Sequence, residues 1–183
     1  YVPGQPDFVV EAATVRSWSR DRQLDAVFIP DGARTASKLA TELRVQMPDL
    51  VLLGTESWNR PAVIAQTADW LEGAVFADAF HAGSIQPSTR NFVERFLQRN
   101  GRVPTAFEAQ AFDAGMVIRQ ALEAGAETRT EVVRMMLAVD RFSGAGHLTV
   151  RGEGLERELF LLRVHQGRIE EVFTALESEQ PSG

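Results

Sequence analysis

The run LDAVFIPDGARTASKLATELRVQMPDLVLLG, residues 24–54, decides the fold of this chain. Its two ends, residues 24–30 and 50–54, are apolar and have the length of buried strands. Between them, apolar residues recur at the spacing of one helix face, and Pro48 ends that helix because proline cannot continue it. Two buried strands joined by a helix predict a βαβ unit with parallel strands and a right-handed crossover.

The same pattern continues on both sides of this unit. Upstream, the spacing of Phe8, Ala12 and Val15 predicts a helix. Downstream, residues 61–70 predict another helix, and residues 73–80 predict a third strand. The first part of the chain is therefore expected to be regular α/β structure.

From Ser84 onward the pattern changes to consecutive helices and then to strands. A capping box of Thr128 and Glu131 begins the last of three predicted helices. Strands are predicted over residues 146–150, 158–164 and 168–173, with a tight turn at residues 166–167. The helices of residues 84–138 have apolar faces but no predicted strand of their own to cover, so we expect a missing partner lobe.

Composition and charge exclude several classes of function. The 183 residues are 44% hydrophobic and 24% charged, which is typical of a folded globular protein. A net charge of -6 argues against a nucleic-acid partner, and the apolar runs are far shorter than a bilayer-spanning helix requires. Because the chain has no cysteine, it can form neither a disulfide nor a thiolate metal site.

Several segments, taken in order, resemble the leucine/isoleucine/valine-type extracellular receptors, which are type I periplasmic binding proteins. The resemblance begins with the two strand runs and the residues that follow them, up to Glu56. It continues over residues 71–75, 92–104, 109–114, 142–146 and 167–169. These segments cover nearly the whole chain in the order that the family has.

The resemblance implies an incomplete three-layer α/β/α fold with a parallel sheet, whose N-terminal strands lie upstream of Tyr1. Residues 1–79 and 157–175 would form the second lobe, residues 84–145 would return to the first lobe, and residues 176–183 would be a tail. The chain opens with Tyr1 and Val2, without a signal peptide, so we interpret it as an excised segment or a mature fragment. A periplasmic location is expected, and a lipid anchor at an upstream N-terminus stays open.

Ligands of open parallel sheets bind beyond the carboxyl ends of the strands, and two such ends are visible in the sequence. The first carries Asp31 and Gly32, and the second carries Glu56, Ser57 and Trp58. Two neighbouring carboxylates in a closing cleft favour a cation or a polar amine. Asp31 also occupies a plausible helix N-cap position, which is the alternative to ligand contact.

The resemblance assigns a role to Glu56, which falls where amino-acid receptors of the family place an acidic residue that meets the ligand's ammonium group. Those receptors usually carry an aromatic residue near the first strand end, where this chain has Asp31 and Gly32. Trp58 could supply that aromatic wall. The alternative is that Trp58 packs against the helix that begins near Pro61.

Signals for an enzyme or a cofactor are missing from the sequence. The three histidines, His81, His147 and His165, are far apart and have no metal-ligand spacing. The chain has no nucleophile elbow, no phosphate-binding loop and no dinucleotide fingerprint. We therefore expect a protein that is not an enzyme, with no cofactor and no metal site.

Two functions fit these observations. The first is an extracytoplasmic receptor for a small polar solute, amino-acid-like or an amine or amide, that works with a membrane permease of an ABC transport system or with a sensing system. The second is a lipoprotein of the same fold that acts by protein–protein interaction, such as an activator of a penicillin-binding cell-wall synthase, because residues 70–80 are compatible with that branch. The isolated chain is expected to self-associate or to pair with its missing N-terminal half.

Overall fold

The computed structural model describes residues 7–22, 24–138, 141–151 and 154–172. They belong to two compact units, one of Tyr1–Asp78 with Leu161–Gly183 and one of Ala79–Phe160. The elements, in chain order, are α1 (Val9–Arg22), β1 (Ala26–Phe28), α2 (Ala33–Gln46), β2 (Val51–Gly54), α3 (Pro61–Leu71), β3 (Val75–Asp78), α4 (Pro87–Asn100), α5 (Ala106–Glu123), α6 (Arg129–Leu137), β4 (Arg141–Ser143), β5 (His147–Arg151), β6 (Gly154–Arg157), β7 (Phe160–His165) and β8 (Arg168–Glu171). The predicted tail, residues 176–183, lies outside the described residues.

The first unit is built on a five-stranded sheet in the order β1-β2-β3-β7-β8. β1 pairs with β2 in parallel, with Val27 opposite Leu52, and β2 pairs with β3 in parallel. The predicted βαβ unit is therefore confirmed. β7 and β8 form an antiparallel hairpin that turns at Gln166 and Gly167, both of which have positive φ angles, so the sheet is mixed rather than wholly parallel.

Helices cover one face of this sheet in the part of the first unit that the structure describes. The two crossovers run in the same direction across β1, β2 and β3, so right-handed connections place α2 and α3 on the same side. α1 packs against α2. On the opposite face, Phe28 and Val51 are 56% and 41% exposed. Two of the three expected layers are therefore present in the described residues.

The second unit combines three helices with a small antiparallel sheet in the order β4-β5-β6. α5 begins with a capping box of Thr105 and Glu108 that the sequence analysis did not identify. Arg102 donates a hydrogen bond to the Glu108 carboxylate and, together with Thr105, lowers the pKa of that group to about 2. The capping box that Thr128 and Glu131 form at the start of α6 was predicted and is confirmed.

The expectation that these helices have no strand to cover is wrong in part. Val117 of α5 packs with Phe142 of β4 and Leu148 of β5, and Met136 of α6 joins this cluster. β4 was not predicted from the sequence, because three residues are too few to show a strand pattern. β6, Gly154–Arg157, was missed as well, and the strand predicted over residues 158–164 corresponds to β7, which begins at Phe160 and belongs to the other sheet.

Arg44 of α2 ties together the backbone at the amino-terminal ends of β2 and β3. Its guanidinium donates hydrogen bonds to the carbonyl oxygens of Pro48 and Leu50, at 2.6 and 2.9 Å, and of Glu72, at 2.7 Å. These carbonyls belong to the loops that enter the two strands. The bond to the Leu50 carbonyl satisfies an acceptor at a part-buried position, and the bonds to Pro48 and Glu72 lie at exposed positions.

We expect Arg44→Met to lower the free energy of unfolding by about 2 kcal/mol, because charge-assisted hydrogen bonds are lost while the helix propensity and the aliphatic stem are kept. Urea denaturation followed by circular dichroism measures this change. Arg34→Met, at an exposed position of the same helix, is the control and is expected to stay within about 0.5 kcal/mol of the parent. Equal losses in the two variants would contradict the role of Arg44.

A buried ion pair organises the second unit around residues 144–146. Asp113 of α5 is 1% exposed, accepts a hydrogen bond from the Ala145 amide and pairs with the guanidinium of Arg157. A Cβ atom at Gly144 would overlap the Asp113 carboxylate, and one at Gly146 would crowd Arg157. A side chain at position 144 would therefore displace the buried Asp113 carboxylate, and one at position 146 would displace the end of the Arg157 side chain.

Neutralising one partner of this pair is expected to cost about 3 kcal/mol or more, because the other charge stays buried without compensation. Asp113→Asn keeps an oxygen for the Ala145 amide but leaves Arg157 unpaired. Arg157→Met leaves Asp113 unpaired. The double variant should cost less than the sum of the two single variants, with a coupling of about 1–3 kcal/mol.

Denaturation of the four proteins of this cycle measures the coupling. Glu123→Gln, at an exposed position of α5, is the control for a neutralised carboxylate on the same helix. Strict additivity of the two single variants would show that Asp113 and Arg157 do not depend on each other.

Candidate functional site

The carboxyl ends of β1, β2 and β3 lie at one edge of the sheet in the first unit, because the three strands are parallel. Asp31 follows β1, the segment from Thr55 to Asn59 follows β2, and Asp78 is the last residue of β3. Glu56, Ser57 and Trp58 form a single turn of 3-10 helix, which begins with the Thr55 side chain accepting from the Ser57 amide. This edge is the candidate site.

Trp58 is 0% exposed, and it joins the segments that follow β1 and β2. Its indole N–H donates to the carbonyl oxygen of Asp31 at 2.6 Å. The ring lies against Gly54, where a Cβ atom would overlap it, and 6.3 Å from the ring of Phe76. Trp58 therefore has no surface to offer a ligand in this structure, and it acts on the edge by positioning Asp31.

Asp31 was predicted to be the N-cap of α2, but it lies one residue before that position. The N-cap of α2 is Gly32, and the Asp31 carboxylate accepts from the Gly32 amide at 2.6 Å. The N-cap assignment of Asp31 is therefore wrong, because α2 begins at Ala33, one residue later than a capping aspartate requires. Gly32 is half-buried, and a Cβ atom there would meet no atom within 4 Å, so packing does not require a glycine at this position.

Glu56 and Ser57 are the polar side chains of the 3-10 turn. Glu56 is exposed, so its carboxylate is accessible at the edge. Ser57 is half-buried, and its hydroxyl lies 2.6 Å from that of Thr55 and donates to the Asp31 carbonyl at 3.2 Å. The structure thus brings Asp31, Ser57 and Trp58 together around one carbonyl oxygen, with Glu56 on the exposed side of the same turn.

Asn59 and Asp78 belong to the same edge and were not predicted from the sequence. The Asn59 amide donates to the Asp78 carboxylate at 2.7 Å, and Asp78 is 4% exposed. This bond ties the segment after β2 to the end of β3. A carboxylate at the end of an otherwise apolar strand was the available signal for Asp78, and nothing local in the sequence indicated that Asn59 would reach it.

The edge therefore carries carboxylates and hydroxyl groups, and this chemistry suits a cation or a hydrogen-bond donor. Among the described residues, no group of three or more histidine, aspartate or glutamate side chains is placed to hold a metal ion. None of the helices in the described part of the chain combines the length and the apolar character that a membrane span requires.

Comparison with solved structures gives matches over nearly the whole chain. A protein provisionally described as a branched-chain amino acid ABC transporter, from Rhodospirillum rubrum, matches with a TM-score of 0.82 and 25% identity over 93% of this chain and 49% of that chain. The leucine binding protein LivK from Thermotoga maritima matches with a TM-score of 0.73 and 22% identity, over 94% and 49%. A solute binding protein of an ABC transporter from R. palustris, in complex with benzoate, matches with a TM-score of 0.66 and 18% identity, over 94% and 48%.

These similarities confirm the predicted fold class. The chain has the α/β fold of type I periplasmic binding proteins, and it spans about half the length of the solved proteins that it matches, so the fold is incomplete. No protein-family model and no curated protein sequence matches the chain.

Trp58→Phe is expected to destabilise the first unit by about 1–3 kcal/mol, because the Asp31 carbonyl loses its indole donor while most of the buried ring is kept. Gly54→Ala should destabilise by a similar amount, since the added methyl group displaces the ring. Thermal and urea denaturation measure both effects. Trp70→Phe, at a partly exposed position of α3, is the matched control and should change stability by less than about 0.5 kcal/mol. A loss in Trp70→Phe as large as in Trp58→Phe would contradict the role of the Asp31 hydrogen bond.

Proposed function

We propose that this chain is the C-terminal portion of an extracytoplasmic receptor that binds a small polar solute and works with an ABC permease or a sensing system. The observation that carries the proposal is the polar edge at the carboxyl ends of β1, β2 and β3, which is where open parallel sheets bind ligands. The structural similarity to solute-binding proteins of ABC transporters supports it. In this proposal, residues 1–79 and 157–175 are the second lobe and residues 84–145 belong to the first.

The ligand of this receptor carries an amine or an amide group. Glu56 supplies an exposed carboxylate to that group, and Asp31, Gly32 and Ser57 border it. Trp58 belongs to the proposed site through the hydrogen bond that fixes Asp31, rather than through contact with the ligand. The first lobe supplies the remaining contacts, because the edge of one sheet provides one wall of a cleft.

Residues outside this chain complete the fold in the full protein. Exposed apolar residues in both units support this part of the proposal. In the first unit they are Phe28 and Val51, and in the second unit α5 exposes Phe107, Ile118 and Leu122, with Phe107 79% exposed. Exposed apolar area of this kind favours a covering partner, so the isolated chain is expected to self-associate or to pair with its N-terminal half. The location is periplasmic, with a lipid anchor as the open alternative to a free protein.

One observation favours the second candidate function, an interaction protein such as an activator of a penicillin-binding cell-wall synthase. The burial of Trp58 leaves the predicted edge without the aromatic wall that a receptor for amino acids would use. In that case the cleft would no longer bind a ligand, and another surface of the protein would contact the synthase. The two candidates differ in whether the full protein responds to small ligands.

A thermal-shift screen of the full-length protein against amino acids, polyamines and small amides tests the receptor function. A ligand present at 100 times its dissociation constant should stabilise the protein by about 2.7 kcal/mol. Glu56→Ala is expected to weaken that ligand about tenfold or more, because a charged hydrogen bond is lost. Asp49→Ala, an exposed carboxylate before β2 at the opposite end of that strand, is the control and should bind as the parent does.

The absence of a response to every compound, with capture of a cell-wall synthase by the same protein, would overturn the receptor function in favour of the activator. Equal weakening by Glu56→Ala and Asp49→Ala would remove Glu56 from the site while leaving the receptor function standing.

A further inference from the structure

The helix α6 has apolar residues on two faces, and among the described residues of the second unit only one of these faces is packed. Met136 points inward and joins the cluster of Val117, Phe142 and Leu148. On the other face, Val133 is 55% exposed. The outward residues line a shallow surface that is open to solvent, and they are Arg129, Thr130, Val133, Arg134, Leu137 and Ala138.

The helix does not need this outward face for its own stability. Its N-terminus is satisfied by the capping box, in which the Glu131 carboxylate accepts the amides of Glu127 and Thr128 at 2.9 and 3.0 Å. Arg129 is the first helical residue, where the helix dipole disfavours a positive charge. An arginine at this position therefore costs helix stability.

The outward face places two guanidinium groups beside apolar side chains. Arg129 and Arg134 are exposed. Val133 lies between them in the sequence, and Leu137 follows Val133 by about one helical turn on the same side of the helix. The carboxylate of Glu131, which interacts with Arg134, is bonded to amides at the start of the helix, so the outward row itself is positive in a chain of net charge -6. An apolar floor with a charged rim is the composition of a protein interface.

We propose that the outward face of α6 is a docking site for an acidic segment of a partner protein that also carries apolar side chains. Carboxylates of the segment meet Arg129 and Arg134, and its apolar side chains cover Val133 and Leu137. A phosphate group alone would leave the apolar floor uncovered. A small solute would be poorly enclosed, because this surface is open and its described lining comes from a single helix.

A short fluorescein-labelled peptide of alternating leucine and glutamate is the probe, and the full-length protein is the binding partner. Fluorescence anisotropy should show saturable binding that weakens as salt is raised, because exposed charges are screened. Arg129→Glu with Arg134→Glu should weaken binding on the order of tenfold or more, which corresponds to about 1.4 kcal/mol. Val133→Ser should also weaken it.

Three controls separate docking from general attraction. Arg95→Glu with Arg99→Glu changes the charge of the protein equally at exposed positions of α4 and should leave binding unchanged. Peptides that alternate leucine with lysine, or glutamine with glutamate, should not bind, because each lacks half of the required chemistry. Circular dichroism checks that the α6 variants stay folded, and Arg129→Gln with Arg134→Gln replaces the charge reversal if it unfolds the helix.

Several results would overturn the proposal. Among them are no binding of the leucine–glutamate peptide, equal binding of the leucine–lysine peptide, and equal effects of the α4 and α6 charge reversals. A change of oligomeric state on reversing the α6 charges, seen by light scattering, would mean that a second copy of the chain occupies this face instead.

Discussion

The parallel pairing of β1, β2 and β3 is the constraint on which the first unit depends. Parallel neighbours cannot be joined by hairpins, so α2 follows β1 and α3 follows β2, and each helix returns the chain to the edge at which the strands begin. The right-handed sense of both returns puts α2 and α3 in one layer. It also brings all three carboxyl ends to the same edge. The placement of Asp31, Glu56 and Asp78 at one edge is thus a consequence of topology, and no local sequence motif was needed to produce it.

Trp58, which follows β2, stabilises the fold and for that reason cannot contact a ligand at the site. The glycine at position 54 leaves space for the ring over the sheet, and the indole reaches the Asp31 carbonyl at 2.6 Å. The same ring cannot also face a ligand, since it is fully buried. What this chain presents at the edge is therefore carboxylate and hydroxyl chemistry, held in place by an aromatic residue beneath it.

The sequence predicted those elements whose signal is local. Strands β1 and β2 appeared as apolar runs, α2 as a periodic face ended by Pro48, and α6 as a helix begun by Thr128 and Glu131. These signals depend on residues a few positions apart, and the structure confirms them. The sequence also indicated where the candidate site lies, because assigning the strands locates their carboxyl ends.

The features that were missed depend on contacts between distant residues. Whether Trp58 faces a cleft or the core depends on Gly54 and Phe76, and the partner of Asn59 is nineteen positions away. Strand β6 is defined by its pairing with β5, and it has no apolar run of its own that would have indicated it. The N-cap of α2 moved by one residue to Gly32, which is within the ordinary scatter of helix boundaries.

In the described part of the second unit, two apolar faces are uncovered, and their different compositions separate their roles. The exposed stripe of α5 is apolar along its whole length, at positions one helical turn apart, and its members are Phe107, Ala111, Ala114, Ile118 and Leu122. An uninterrupted apolar stripe is typical of a face that stays covered, as in a domain core. The outward face of α6 instead alternates apolar residues with Arg129 and Arg134, and charged rims keep a surface soluble while it is unoccupied. Permanent burial therefore suits the α5 stripe, and reversible docking suits the α6 face.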